Sequence, residues 1–130
     1  VTNTIRLNNL NERAKIGCEA HRQIQNDLHR LIGGKSEVSI ILSNGQKVRK
    51  DFVSNEGVVY IIKPDTDSGH RSAYKRKKLM EEEGYIVAEP IFYDPSDPKY
   101  REDSPSYIGP KHKQDDIEEE KHDLYYSIIH

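Results

Sequence analysis

Between residues 38 and 63 the chain reads as three short β-prone runs separated by two tight turns, and this pattern restricts the fold more than any other feature of its 130 residues. Residues 38–42 are apolar and rich in β-branched side chains, as a strand prefers. Ser43-Asn44-Gly45 follows, and an Asn-Gly pair favours a hairpin because the tightest turns need positive φ at their central positions. Residues 47–53 alternate, with Val48 and Phe52 on one side and Lys47, Arg49 and Asp51 on the other, as in a half-buried strand. Ser54-Asn55-Glu56-Gly57 turns the chain back into residues 58–63, its most β-prone run. Because side chains alternate across a strand, Val59, Ile61 and Lys63 are predicted to share a face, and Asp51 to share it with Ile61 and Lys63.

Helical signals flank this region. In residues 11–32, Ala20, Ile24, Leu28 and Leu31 recur at three- and four-residue spacing, and Gly33-Gly34 stops the run. A second helix is predicted over residues 69–83, capped by Thr66, Asp67 or Ser68 and ended by Gly84. Residues 85–93 read as a fourth strand interrupted at Pro90. The order αβββαβ predicts an α+β fold, a mixed sheet flanked by helices, within one domain. Residues 1–10 would be an N-terminal extension, 11–93 the core, and 94–130 an arm and tail. Pro, Ser, Asp and Tyr crowd residues 94–110, which suits an extended loop or arm, and residues 115–130 read as either an amphipathic helix or an acidic tail.

Charged residues make up 32% of the chain against 34% apolar, so a folded middle with polar ends is expected. The net charge of −2 hides an asymmetry: Lys47, Arg49, Lys50, Lys63, Arg71, Lys75, Arg76, Lys77 and Lys78 are basic, whereas residues 114–123 are mostly acidic. A basic middle suits a polyanion, because lysine and arginine on phosphates release condensed counterions; a solvated surface is the plain alternative. The single Cys18 excludes an internal disulfide and a four-cysteine metal site. No apolar run approaches the roughly 20 residues that span a bilayer, so no membrane segment is expected. No charged-then-apolar leader opens the sequence, and a chain beginning at Val1 reads as a fragment or a processed domain.

Asp51 and Lys63 are the chemically suggestive pair. Cleavage of a phosphodiester with a divalent cation needs carboxylates to hold the ion and a positive group near the attacked phosphate. On these residues the chain resembles the PD-(D/E)XK, restriction-endonuclease-like superfamily, and within it the short toxin domains at the C-termini of large bacterial secreted proteins. The resemblance rests on Asp51 in Arg49-Lys50-Asp51-Phe52-Val53, on Tyr60-Ile61-Ile62-Lys63-Pro64 with Thr66 and Gly69 beyond, and on the element order. It covers about two thirds of the chain.

The resemblance implies a restriction-endonuclease-like core and a toxin nuclease that cleaves RNA, with tRNA among the candidate substrates, in preference to DNA. It implies Asp51 as a ligand of a divalent cation such as Mg2+, Lys63 as the catalytic cation, and a cognate immunity protein as partner. The domain would be secreted or delivered from a cell surface and act in the cytoplasm of a target cell. Two residues depart from the pattern. Lys50 stands where a proline often precedes the aspartate, and Ile61 stands where the last motif carries an acid, which removes one of two metal-binding carboxylates. Glu19, on the first helix, is the candidate replacement, although at 100° per residue it points away from the apolar stripe. His21 lies nearer the stripe edge and is a further catalytic candidate. Asp65 and Asp67 suit capping and turn formation.

The second helix carries His70, Arg71, Tyr74, Lys75 and Lys78 as candidate nucleic-acid-binding residues, with Tyr74 able to stack on a base. Its acids, Glu81-Glu82-Glu83, crowd the C-terminal end, where the helix dipole disfavours them. Two other readings stay open: a metal-independent RNase drawing its acid and base from His21, His70, Lys63 and Tyr74, and an inactive module of the same fold that binds nucleic acid or protein. No Gly-rich phosphate loop, nucleophile elbow or zinc-spaced Cys and His set is present.

Overall fold

Both hairpins form where their turn residues lie. In the computed structural model, which describes the backbone of residues 2–109 and side chains from residue 12 onward, β1 (Gly34–Ile41) pairs antiparallel with β2 (Lys47–Ser54). Gly45 takes φ +85 in the connecting loop and Gly57 takes φ +89 in the next, conformations that only glycine adopts without strain. β2 pairs antiparallel with β3 (Val59–Tyr60) through Phe52↔Tyr60 and Val53↔Val59. After Tyr60 the strand breaks at Ile61 and resumes as β4 (Ile62–Pro64), which pairs in parallel with β5 (Ile91–Tyr93). One parallel bridge, Val59↔Val87, ties this pair to the three-stranded sheet. The predicted fourth strand is thus a short ladder on Ile91–Tyr93 after a single bridge at Val87.

α1 (Thr2–Leu31) begins well before residue 11, so most of the expected N-terminal extension is helical. α2 (Asp67–Glu82) starts two residues earlier than predicted, because Thr66 is the cap that accepts the Gly69 N–H at 3.0 Å. Gly69 is required there: a Cβ would run into the Pro64 carbonyl, so the helix can start this close to the end of β4 only without a side chain. As in any parallel connection, α2 carries the chain from β4 back to β5.

Two apolar clusters hold the layers together. Val48, Val59, Ile61 and Val87 pack with Ala73 and Met80 of α2 and with Leu42. Ile62 and Tyr93 pack with Ala20 of α1 and with Tyr100. Ile61 and Ile62, neighbours in sequence, therefore anchor opposite faces of the strand. The result is a mixed α+β fold with helices on both sides of small sheets.

The arm, residues 94–109, is pinned to α1 by a carboxylate. Glu19 is fully buried and accepts the backbone N–H groups of Ile108 and Gly109 at 2.9 and 2.8 Å, together with the Gln23 amide at 2.7 Å. The Gln23 amide also donates to the Lys99 carbonyl, and Arg22 lies 3.7 Å from Glu19. Glu19 indeed points away from the apolar stripe, yet the arm covers it there. The predicted helix or tail over 115–130 lies outside the described residues.

Removing the carboxylate leaves the buried Gly109 N–H and the part-buried Ile108 N–H without an acceptor, a loss of about 1–3 kcal/mol for a buried group. Glu19→Ala is expected to lower the unfolding free energy by about 3 kcal/mol in urea titration and to expose the arm to limited proteolysis. Unchanged stability would show that the clasp contributes nothing.

Candidate functional site

The parting of β2 from β4 creates a cleft. Regular pairing would continue from Phe52↔Tyr60 to Asp51 opposite Ile61, but the strands separate instead, and the Asp51 side chain enters the gap. Its Oδ2 accepts the Ile62 N–H at 2.7 Å, taking the place of a ladder bond. The Asp51 backbone carbonyl accepts the Gln25 amide of α1 at 3.0 Å, so the residue is held at both ends. Asp51 is only 7% exposed. A cleft of about 510 Å3 opens beside it, lined by His21, Ser39, Lys47, Val48, Arg49, Asp51, Lys63 and Arg76.

Sequence alternation brings Lys47, Arg49 and Asp51 to this opening, as expected of the wet side of β2. Lys50, on the other side, is buried and lays its ammonium 3.7 Å from the centroid of the Tyr85 ring. Ile61 does not join Asp51 and Lys63. It is 1% exposed within the cluster against α2, and its carbonyl accepts the Ile91 N–H at 2.8 Å. The predicted common face fails because the strand breaks at Ile61 and changes partner from β2 to β5.

His21 reaches the cleft from α1, with Nδ1 3.6 Å from Asp51 Oδ1, an electrostatic separation longer than a hydrogen bond. Burial lowers its pKa below 6.5; Asp51 and Glu37 oppose the shift, while Lys63 and Arg49 reinforce it. Lys63 is also lowered, first by burial and then by the Arg76 guanidinium, with Asp51 opposing. The cleft thus holds a histidine biased towards its neutral, proton-accepting form and a lysine made readier to release its proton.

The other candidates lie elsewhere. Glu19 does not line the cleft, because its oxygens are committed to the arm. Asp65 bonds His70 at 2.6 Å at the start of α2, and Asp67 occupies the first turn. Arg71, Lys75 and Lys78 are exposed at four- and three-residue spacing, a single outward stripe on α2 that lines no part of the cleft. Arg76 is the α2 cation that does, and its guanidinium donates to the Arg49 carbonyl at 3.3 Å. Arg76 was visible only as one member of a basic run. Helical phase relative to buried Ala73 and Met80 could have singled it out.

A Mg2+ ion takes six oxygens and is commonly held by one or two carboxylates with waters and substrate phosphate. Among the described residues Asp51 is the one carboxylate lining the cleft, and its Oδ2 is already engaged. Among the described residues no group of three or more His, Cys, Asp or Glu is placed to hold a metal. The Asp51 and Glu19 pair implied by the resemblance is not assembled. Comparison of the chain with protein-family models, curated proteins and solved structures finds no match.

Because the folded state binds fewer protons at His21 than the unfolded chain, stability is expected to fall as pH drops through 6.5 towards the lowered value, and to be complete above 6.5. Asp51→Asn keeps an acceptor for Ile62 but removes the charge, so the His21 pKa should fall further in an NMR titration. Lys63→Met should raise it. The reverse order of shifts would disprove the arrangement.

Proposed function

We propose that this chain is a nuclease domain that binds the nucleic-acid backbone in the cleft and cleaves RNA by acid–base chemistry at His21 and Lys63. The observation that carries the reading is the juxtaposition of a neutral-biased histidine, a carboxylate and four cations, Lys47, Arg49, Lys63 and Arg76, around one opening. Among the described residues, four cations against a single lining carboxylate suit a phosphate chain. The element order αββββαβ, which becomes αβββαβ when β3 and β4 are counted as one broken strand, with β4 and β5 parallel across α2, also supports the resemblance to the restriction-endonuclease-like fold.

RNA is favoured because its 2′-hydroxyl supplies a nucleophile within the substrate. His21 takes the 2′-hydroxyl proton as the 2′-oxygen attacks the neighbouring phosphorus. The bond from phosphorus to the 5′-oxygen breaks, and Lys63 gives that oxygen a proton, leaving a cyclic phosphate and a free 5′-hydroxyl. The Asp51 charge, 3.6 Å from Nδ1, stabilises the protonated form of the imidazole. Arg49 and Arg76 balance the charge that develops on the phosphoryl oxygens. On the same resemblance, the domain is the toxic part of a secreted or contact-delivered bacterial protein, acts in the target-cell cytoplasm and has a cognate immunity protein.

In a cleavage assay on tRNA and unstructured RNA, His21→Ala is expected to reduce the rate about 10²- to 10⁴-fold, and Lys63→Ala to do so comparably. EDTA should leave the rate unchanged, and substrates with 2′-deoxyribose at the cut site should resist. Cleavage lost in EDTA and restored by Mg2+ would instead assign Asp51 to a cation held jointly with substrate phosphate. Salt-sensitive binding without cleavage of RNA or DNA would make the chain a binding module.

A further inference from the structure

On α2 and β5 lies an aromatic cluster that the proposed chemistry does not use. The rings of His70 and Phe92 stack with centroids 3.7 Å apart and planes within 4°. Tyr74, one turn along α2 from His70, sits at 6.4 Å from His70 and 6.1 Å from Phe92, tilted against both, and is 46% exposed. Phe92 is the register partner of Lys63 in the parallel pair of β4 and β5. Paired residues project to the same face from strands about 5 Å apart. The Phe92 end of the cluster therefore begins one strand spacing from the Lys63 backbone, while Tyr74 and the cleft-lining Arg76, about 200° apart on α2, face opposite sides of that helix.

Its rim is acidic. Asp65 Oδ1 lies 2.6 Å from His70 Nε2, and the Tyr74 hydroxyl donates to Glu89 Oε2 at 3.3 Å. Carboxylates repel phosphate but accept hydrogen bonds from the amino and imino groups of bases. An exposed aromatic face with carboxylates at its edge thus suits a base, while the cleft suits the phosphate.

We propose that Tyr74, backed by His70 and Phe92, is a stacking subsite for one unpaired nucleobase of the strand whose phosphate is held at Lys63, so that the substrate is single-stranded RNA or a single-stranded stretch of a folded RNA. This rests on the nuclease reading above and adds the strandedness of its substrate. Bases in a duplex stay stacked on one another and cannot occupy Tyr74. Arg71 and Lys78, three and four residues from Tyr74 on α2, and Lys75 between them then attract the RNA without setting its register.

The test measures binding by fluorescence anisotropy with cleavage-deficient His21→Ala protein as the parent. Probes are a labelled single-stranded RNA, the same strand carrying abasic residues, and its duplex. Adding Tyr74→Ala is expected to weaken binding of the intact strand about tenfold and to leave the abasic strand and the duplex unchanged. Tyr74→Phe, which keeps the ring and loses the bond to Glu89, should bind the intact strand as the parent does. Equal loss for intact and abasic strands, or no loss for either, overturns the subsite while leaving cleavage at His21 and Lys63 standing. A parent that binds none of the three probes, with wild-type protein that cleaves no RNA, overturns the nuclease reading and this proposal together.

Discussion

The bond from the Ile62 N–H to the Asp51 carboxylate is the contact on which the site depends. A sheet can part only if the backbone groups it abandons find other partners, since an unpaired buried N–H costs as much as a lost hydrogen bond. Asp51 meets that need with its own side chain. The same carboxylate then faces His21, so one residue keeps the strands apart and charges the space between them.

From this parting follow the partner change of the third strand and the position of the cleft. β3 belongs to the antiparallel hairpins, whereas β4 belongs to the parallel pair closed by α2. Lys63, just beyond the break, is brought to the opening instead of continuing a ladder with β2. Ile61 and Ile62, at the break, grip the two helical layers on opposite sides. The position where the resemblance calls for an acid is therefore a core position in this chain. A carboxylate there would be buried among Val59, Ala73 and Met80, without the water or cation that it needs.

Much of this was legible in local patterns. The Asn-Gly turn, the alternation of Lys47, Arg49 and Asp51, and the glycine stop of α1 each reflect neighbouring residues and appear in the structure as expected. What escaped were contacts between distant segments. Nothing near Glu19 in sequence signals that Ile108 and Gly109 supply its hydrogen bonds. Nothing within residues 58–63 signals a partner change at Ile61, because the run is equally β-prone on both sides of it. Arg76 was hidden among similar residues, and its distinction comes only from the helical face that approaches β2. Glu37 went unread as well. It takes φ +53 on β1, and its charge is felt at His21, which a sequence pattern of alternating strand residues does not reveal.

Amide chemical-shift mapping with a non-cleavable 2′-deoxy analogue of single-stranded RNA tests the central claim most directly. A cleft at the parted strands should place the largest perturbations at Arg49, Asp51, Ile62, Lys63 and Arg76. Perturbations confined to the outward stripe of Arg71, Lys75 and Lys78, with Ile62 and Lys63 unmoved, would contradict it.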